Sequence, residues 1–330
     1  MKVSVIIPSY NQGLFLEETI LSVLSQDYTN IEIIVIDGNS SDNSIDIIRK
    51  YNASIYYWVS EKDDGQSHAI NKGIAKSNGE IVTWLNSDDT LLPGAITKIV
   101  DNFLYATEDT VLIHGGAAII EGGKKVRDDF GYPDQNLERY LSGMAFPQPG
   151  TFFKRDAFEQ VGGLRQDLHF GMDYDLFARL ALIGKFMRLD CLLSNYRLHS
   201  DSKSICSSHL FIDDWTTTFG NILKNLEMKK FHNELIKLGI IRENRNIDHY
   251  NFTFKNYPKN HELMFFFFLS YVLRSDYRTG NFSRAKIIGD YLHLHYSILL
   301  RQHYEIRTII SRLKFFPVSV IKFFRSLRNP

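Results

Sequence analysis

The sequence has only two cysteines, Cys191 and Cys206, in 330 residues. That excludes a disulfide framework and fits a reducing compartment. No stretch is apolar for the roughly 20 residues that a membrane-spanning helix needs. The most apolar run, Leu263-Met264-Phe265-Phe266-Phe267-Phe268-Leu269, ends by about Leu273. No basic segment followed by an apolar one opens the chain, so no signal peptide is expected. No G-x-G-x-x-G follows the first strand and no Walker A sequence occurs, which excludes the usual dinucleotide and P-loop readings. Internal repeats, low-complexity linkers and RNA-binding motifs are also missing, so nucleic acid is not an expected partner.

Net charge is missing only on average. The composition, 44% hydrophobic and 23% charged, is that of a globular protein with a sizeable core. Residues 1–220 hold 19 Lys and Arg against 30 Asp and Glu, a net −11. Residues 221–330 hold 19 against 8, a net +11. An acidic front and a basic tail predict two regions with different tasks.

The front alternates strand and helix. Val3–Pro8, Ile31–Asp37, Ile55–Val59 and Glu80–Asn86 read as strands. Leu14–Gln26, Asp42–Tyr51, Gln66–Ser77 and a segment from Pro93 to about Leu104 read as helices. Residues 110–130 read as β-structure turning at Glu121-Gly122-Gly123. Gln148–Phe153 should be extended, Asp173–Gly184 helical and Leu193–Leu198 a short strand; from about 210 the pattern is helical. This order predicts an α/β fold with a mainly parallel sheet, whose ligands bind beyond the carboxyl ends of the strands. Polar clusters fall at those ends: Ser9-Tyr10-Asn11, Asp37-Gly38, Asp63-Asp64-Gly65 and Asn86-Ser87-Asp88-Asp89.

The last cluster is the most telling. Two adjacent carboxylates at the end of a buried strand are costly unless something pairs with them. A hard divalent cation is a natural partner, and it in turn holds phosphate oxygens. A capped turn before the next helix is the alternative.

Together these segments resemble the family 2 glycosyltransferases, inverting enzymes with a GT-A fold. The resemblance covers roughly residues 1–205. It rests on Val5-Ile6-Ile7-Pro8-Ser9-Tyr10-Asn11, Val35-Ile36-Asp37-Gly38-Asn39-Ser40-Ser41-Asp42, Asp64-Gly65-Gln66-Ser67-His68-Ala69-Ile70-Asn71-Lys72-Gly73 and Asn86-Ser87-Asp88-Asp89. Gly162-Gly163-Leu164, Met172-Asp173-Tyr174-Asp175-Leu176 and Tyr196-Arg197-Leu198-His199 extend it.

The resemblance implies a nucleotide-sugar donor, often a uridine diphosphate sugar, and a divalent metal, Mn²⁺ or Mg²⁺. It implies that Pro8, Ser9, Tyr10 and Asn11 wrap the nucleotide base and ribose and that Asp37 hydrogen-bonds the base. Asp64, Asn71, Lys72 and Gly73 would line the nucleotide and sugar pocket, with Ser87 also on the donor side. Asp88 would bind the metal, with Asp89 beside it, touching the sugar or supporting the metal. His199 would lie near the diphosphate or metal, and Asp173 would be the catalytic base. Asp37 could instead cap its turn, Asp173 could serve the helix start, and His199 could be a satisfied polar residue. Asp175, His68 and His114 are expected to be structural, while Gln148, Arg155, His169 and Asp173 are candidates for the acceptor side. Two positions depart from the usual family pattern: Asn86 and Met172 stand where many members have acidic residues.

The expected organisation is a GT-A domain over 1–205 and a helical, basic and aromatic region over 206–330. Within the domain, 1–105 would bind the nucleotide sugar and 106–205 the acceptor. The expected reaction moves one sugar to a glycan or lipid-linked acceptor in cell-surface polysaccharide synthesis. The Gln-x-x-Arg-Trp motif and membrane helices of processive synthases are missing, which favours single transfer. A nucleotidyltransferase and a catalytically silent nucleotide-binding or assembly protein are the alternatives. Residues 301–330 carry 7 Lys and Arg against 1 Glu, interleaved with aromatics. That pattern predicts a cytoplasmic protein held on an anionic inner membrane face, or else a terminal helix packed on its neighbours.

Overall fold

The computed structural model describes residues 1–203, 210–242 and 249–326, with side chains as far as Lys322. Two compact units emerge: Met1–Gln135 with Met144–Ser208 and Asn251–Tyr257, and Asn136–Gly143 with His209–Tyr250 and Pro258–Pro330. The last four residues of the basic tail lie outside the described residues.

The first unit is a mixed, mostly parallel nine-stranded sheet. Its front runs β1 (Val3–Ser9), α1 (Leu16–Leu24), β2 (Ile31–Asp37), α2 (Ser44–Lys50), β3 (Tyr57–Ser60), α3 (Gln66–Lys76), β4 (Ile81–Trp84), β5 (Thr90–Leu91) and α4 (Ala95–Tyr105). β1 lies parallel between β2 and β4, with Val5 opposite both Ile33 and Thr83, and β3 extends the edge beyond β2. The chain thus reverses direction across the sheet between β1 and β4, the switch point at which open α/β sheets form a crevice.

β1 is buried along its whole length because helices cover both faces. Val3, Val5 and Ile7 share one core with Ile20 and Val23 of α1 and with Ile96, Ile99 and Val100 of α4. Ile6 points the other way, toward α3. A Cβ on Gly73 would lie 2.5 Å from Ile6 Cγ2 and 3.3 Å from Ile36 Cγ1. A glycine there lets α3 approach the sheet closely, since a close-packed interior leaves no room for another methyl.

The second half of the unit adds β6 (Thr110–Glu121), β7 (Lys124–Asp129), β8 (Thr151–Lys154), α6 (Arg155–Gln160), α7 (Met172–Ile183) and β9 (Lys185–Leu198). β8 is antiparallel to β4 and to β6, whereas β6 and β9 form a long parallel ladder. Here the sequence expectation needs correction. β9 has fourteen residues, not the six from Leu193 to Leu198. Its first half carries Lys185, Arg188 and Asp190 at exposed or half-buried positions, so no apolar run marks it. Gln148–Gly150 is a 3-10 turn rather than extended, with Pro149 in its first turn. β5, α6 and the short α5 (Leu137–Tyr140) of the second unit were not foreseen.

The second unit is otherwise helical: α8 (Phe211–Asn225), α9 (Lys229–Lys237), α10 (His261–Thr279), α11 (Phe282–His295), α12 (Ser297–Gln302), α13 (Tyr304–Phe315) and α14 (Val318–Ser326). The apolar run becomes the centre of α10, where Met264 to Leu269 are buried. Phe268 stacks on Phe219 of α8 at 3.8 Å between ring centroids. Asp276 of α10, buried, receives two hydrogen bonds of 2.7 Å from Arg284 of α11. Among the described residues no helix is long and apolar enough to cross a membrane.

Candidate active site

The polar clusters meet at the carboxyl ends of β1, β2 and β4. Asp37 ends β2 and is fully buried. Its carboxylate accepts hydrogen bonds from the Ser40 N–H at 2.9 Å, the Ser40 hydroxyl at 2.5 Å and the Ser60 hydroxyl at 2.6 Å. Asp37 therefore shapes the loop after β2. That loop is stitched to the one after β1: Asn11 N–H donates to Ser40 Oγ and Ser41 N–H to Asn11 Oδ1, each at 2.8 Å. Asn11 adopts φ 51°, a left-handed conformation that asparagine tolerates. Pro8 and Ser9 are buried, and Ser9 Oγ has no hydrogen-bond partner among the described residues, while the Tyr10 ring is exposed. Gly38 sits between Tyr10 and Asp63, since a Cβ there would lie 3.3 Å from the ring and 2.9 Å from Asp63 Oδ2. The result is an exposed aromatic ring over a rigid polar floor.

The loop after β4 carries the carboxylates. Asp88 Oδ2 lies 3.0 Å from His199 Nε2, and both side chains remain partly exposed. The His199 ring packs against Phe15 at 4.7 Å between centroids. Asp89 is buried and accepts a 2.9 Å hydrogen bond from the Arg197 N–H. Burial pushes its carboxyl well above the usual range and the Asp88 charge adds to this, against the pull of the Arg197 N–H and the Asn86 amide. Thr19 of α1 anchors the loop, its hydroxyl reaching Ser87 O at 2.9 Å and Asp89 O at 2.8 Å. Ser87 itself is buried.

Asn86 is the hub of an amide cluster. Its Oδ1 accepts from Gln66 Nε2 at 2.8 Å, and its Nδ2 reaches Asp89 Oδ2 at 3.3 Å and Gln148 Oε1 at 3.5 Å. Gln148 Nε2 in turn donates to Trp84 O at 2.9 Å. From Gln66 the network continues to Lys203 Nζ at 3.0 Å, which also donates to His169 O at 3.2 Å. Beside it stands the start of α7. Ser67 Oγ donates to Met172 Sδ at 2.8 Å, and Asp173 is the second residue of that helix, half-buried, its Oδ1 accepting from the Tyr174 N–H. Asp175 is fully buried and locked to Arg179 at 2.5 Å, a structural pair as expected.

Other predicted residues occupy different ground. Asn71 exchanges hydrogen bonds of 2.8 and 2.9 Å with the Leu164 backbone, tying α3 to the loop before α7. Gly73 faces Ile6 in the interior. Lys72 pairs with Glu61, and Asp64 is exposed beside His68. The expectation for Arg155 is corrected. Its guanidinium holds Gly79 O at 2.7 Å and Ile74 O at 2.9 Å, beside the start of β4, at the opposite end of the sheet from Asp88. Thr19, Ser60 and Lys203 were missed, and Ser40 was noted only as part of the segment 35–42. Only Thr19 left a signal, a hydroxyl on the buried face of α1 beside Leu16, Ile20 and Val23.

Asp88 offers a carboxylate oxygen, the donor type of Mn²⁺ and Mg²⁺, and His199 an imidazole nitrogen, which Mg²⁺ disfavours. Among the described residues no group of three or more His, Cys, Asp or Glu is arranged to hold an ion. With two protein donors, the rest of a cation's shell would fall to substrate phosphate and water.

Residues 4–162 match the family model described as glycosyl transferase family 2. This segment is a family 2 glycosyltransferase domain. An uncharacterized glycosyltransferase of Nostoc is 30% identical over 212 residues, covering 60% of this chain and 65% of that one. The chondroitin synthase of Escherichia coli is 24% identical over 231 residues, covering 69% and 34%. The chain thus spans less than two thirds of either relative. Two solved structures share the fold. TarS 1–349 of S. aureus in complex with UDP-GlcNAc has TM-score 0.54 and 16% identity, covering 99% of this chain and 92% of that one. The mannosyltransferase PcManGT of Pyrobaculum calidifontis, in complex with GDP-Man and Mn²⁺, has TM-score 0.56 and 15% identity, covering 100% and 88%.

Proposed function

We propose that this protein is an inverting, metal-dependent glycosyltransferase. It moves one sugar from a nucleotide diphosphate sugar, with uridine diphosphate as the first nucleotide to test, to a hydroxyl of a glycan or lipid-linked acceptor in cell-surface polysaccharide synthesis. The observation that carries this reading is the Asp88–His199 pair beside buried Asp89, at the carboxyl edge where the sheet reverses direction. The nucleotide-sugar complexes of two proteins with the same fold support it.

In this reading the nucleotide lies over the Pro8–Asn11 loop, against Tyr10, with Asp37 holding the floor. Asp64, Lys72 and Ser87 flank the donor, whereas Asn71 and Gly73 position α3. Asp88 and His199 would hold the divalent cation, which when bound would stabilise the charge that develops on the leaving diphosphate. Asp173 accepts the proton of the acceptor hydroxyl. As that oxygen bonds to the anomeric carbon, the bond to the diphosphate oxygen breaks and its electron pair leaves with the diphosphate. One base suffices, with no covalent intermediate, so the anomeric configuration inverts. Asp175 is not the base in this reading, because it is fully buried and Arg179 holds its Oδ2.

The test is transfer from a panel of uridine diphosphate sugars to bacterial lipid and oligosaccharide extracts. Nucleotide release and the anomeric proton coupling of the product are the readouts. An inverted product is expected. A product that retains the donor's configuration contradicts the one-base reading.

A further inference from the structure

The basic tail is built differently from a helix that buries its apolar face in lipid. Ile306, Ile309, Ile310 and Leu313 of α13 are buried within the helical unit, so the apolar stripe is already occupied. The outward face is unusual instead. Tyr304 and Phe315 are each 73% exposed, Phe316 50% and, just beyond the helix, Val318 46%. Tyr304, Arg307, Ser311, Arg312, Phe315 and Phe316 line one open groove. Ile298, on the preceding α12, is 73% exposed as well.

Cations fill the space between these rings. Arg301, Arg307, Lys314 and Lys322 are exposed and Arg312 half-exposed. Arg307 lies 5.7 Å from the centre of the Tyr304 ring and Lys314 5.8 Å from that of Phe315. The one acid of the segment, Glu305, pairs with Arg274. The surface is therefore rich in positive charge interleaved with exposed aromatic and aliphatic side chains, on a chain whose first 220 residues are strongly acidic.

We propose that this face of residues 298–322 seats the protein on an anionic lipid bilayer. Cations facing acidic headgroups are drawn to the surface, and aromatic side chains settle at the headgroup boundary. Charge complementarity selects the occupant. A nucleic acid would satisfy the arginines but would offer Ile298 and Val318 no apolar environment. A second copy would bring the same positive charge against itself. Attachment by this face does not depend on the proposed catalysis, and it would place the enzyme where a lipid-linked acceptor is found.

The experiment is flotation of the full chain with phosphatidylcholine vesicles and with vesicles that also contain phosphatidylglycerol, at low and high salt. Arg307→Glu/Lys314→Glu and Phe315→Ser/Phe316→Ser are compared with the unaltered chain. Thermal melting and uridine diphosphate binding show whether fold and donor site survive. Expected are recovery with the anionic vesicles only, weakening with salt, and a fall of about tenfold or more in each double variant at unchanged melting. No recovery of the unaltered chain on anionic vesicles, or equal recovery of all three chains, overturns the proposal. So does a dimer of the unaltered chain that Phe315→Ser/Phe316→Ser converts to monomer without changing flotation.

Discussion

Two buried carboxylates stand at opposite ends of the same sheet. Glu32, near the start of β2, pairs with Lys2 and accepts hydrogen bonds from the Ser4 hydroxyl at 2.7 Å and from the Asn78 N–H. Burial raises its pKa, but those partners more than offset it and hold Glu32 below the usual carboxylate range. Asp89, after β4, has the Arg197 N–H and the Asn86 amide, and the Asp88 charge acts on it more strongly than that of Arg197. Its carboxyl is pushed up. At the amino end Lys2 pairs directly with the buried carboxylate; at the carboxyl end the Asp88 charge outweighs that of Arg197. The first arrangement builds the fold. The second leaves a carboxyl that burial and the Asp88 charge bias toward its protonated form, a bias that a bound cation would reverse in our reading.

The largest expected contrast is between chemistry and stability. Asp173→Asn should lower transfer by roughly 10²–10⁴-fold. Uridine diphosphate binding and melting temperature should change little. Steady-state kinetics beside calorimetry separates these, and a variant that loses donor binding as well would move Asp173 from proton transfer to architecture.

The next effect concerns His114, buried in β6 and stacked on Phe146 at 3.8 Å. Burial pushes its imidazole down to about 4. The unfolded chain therefore binds the extra proton first on acidification. Stability from this site is complete above the ordinary histidine range and is lost as pH falls from about 6.5 toward 4, by about 3 kcal/mol in all. His114→Phe should flatten that part of the stability profile in urea unfolding. An unchanged pH slope would show that the buried imidazole is not its source.

Smaller effects test the two ends of the sheet. Glu32→Gln should cost about 1–3 kcal/mol of unfolding free energy, because it strips a buried hydrogen-bonded group of its charge partner. It should leave transfer kinetics unaltered, and a raised KM for the donor would break the contrast between the ends. Gly73→Ala should also cost about 1–3 kcal/mol, by forcing a methyl against Ile6. A loss of donor affinity without that destabilisation would return Gly73 to the pocket.

These contrasts also show what could be read in advance. β1 and β2 were legible because both faces are covered and the apolar runs are continuous. β9 was not, since half of it faces solvent and carries charge. The Asp88-Asp89 dyad was legible as a costly pair of charges after a buried strand. The amide cluster was not, because Gln66, Asn86 and Gln148 come from distant segments and meet only through the fold. Asn71 and Gly73 share a motif with Asp64, yet a helix turns neighbouring residues onto different faces. In α3 that rotation sends Asn71 to Leu164 and Gly73 to Ile6.

The most direct test of the donor–cation reading is calorimetric titration of uridine diphosphate into the pure protein, with and without Mn²⁺, repeated on Asp88→Ala. The account predicts binding that requires Mn²⁺ and is abolished in the variant. Metal-independent binding that persists in Asp88→Ala would contradict it.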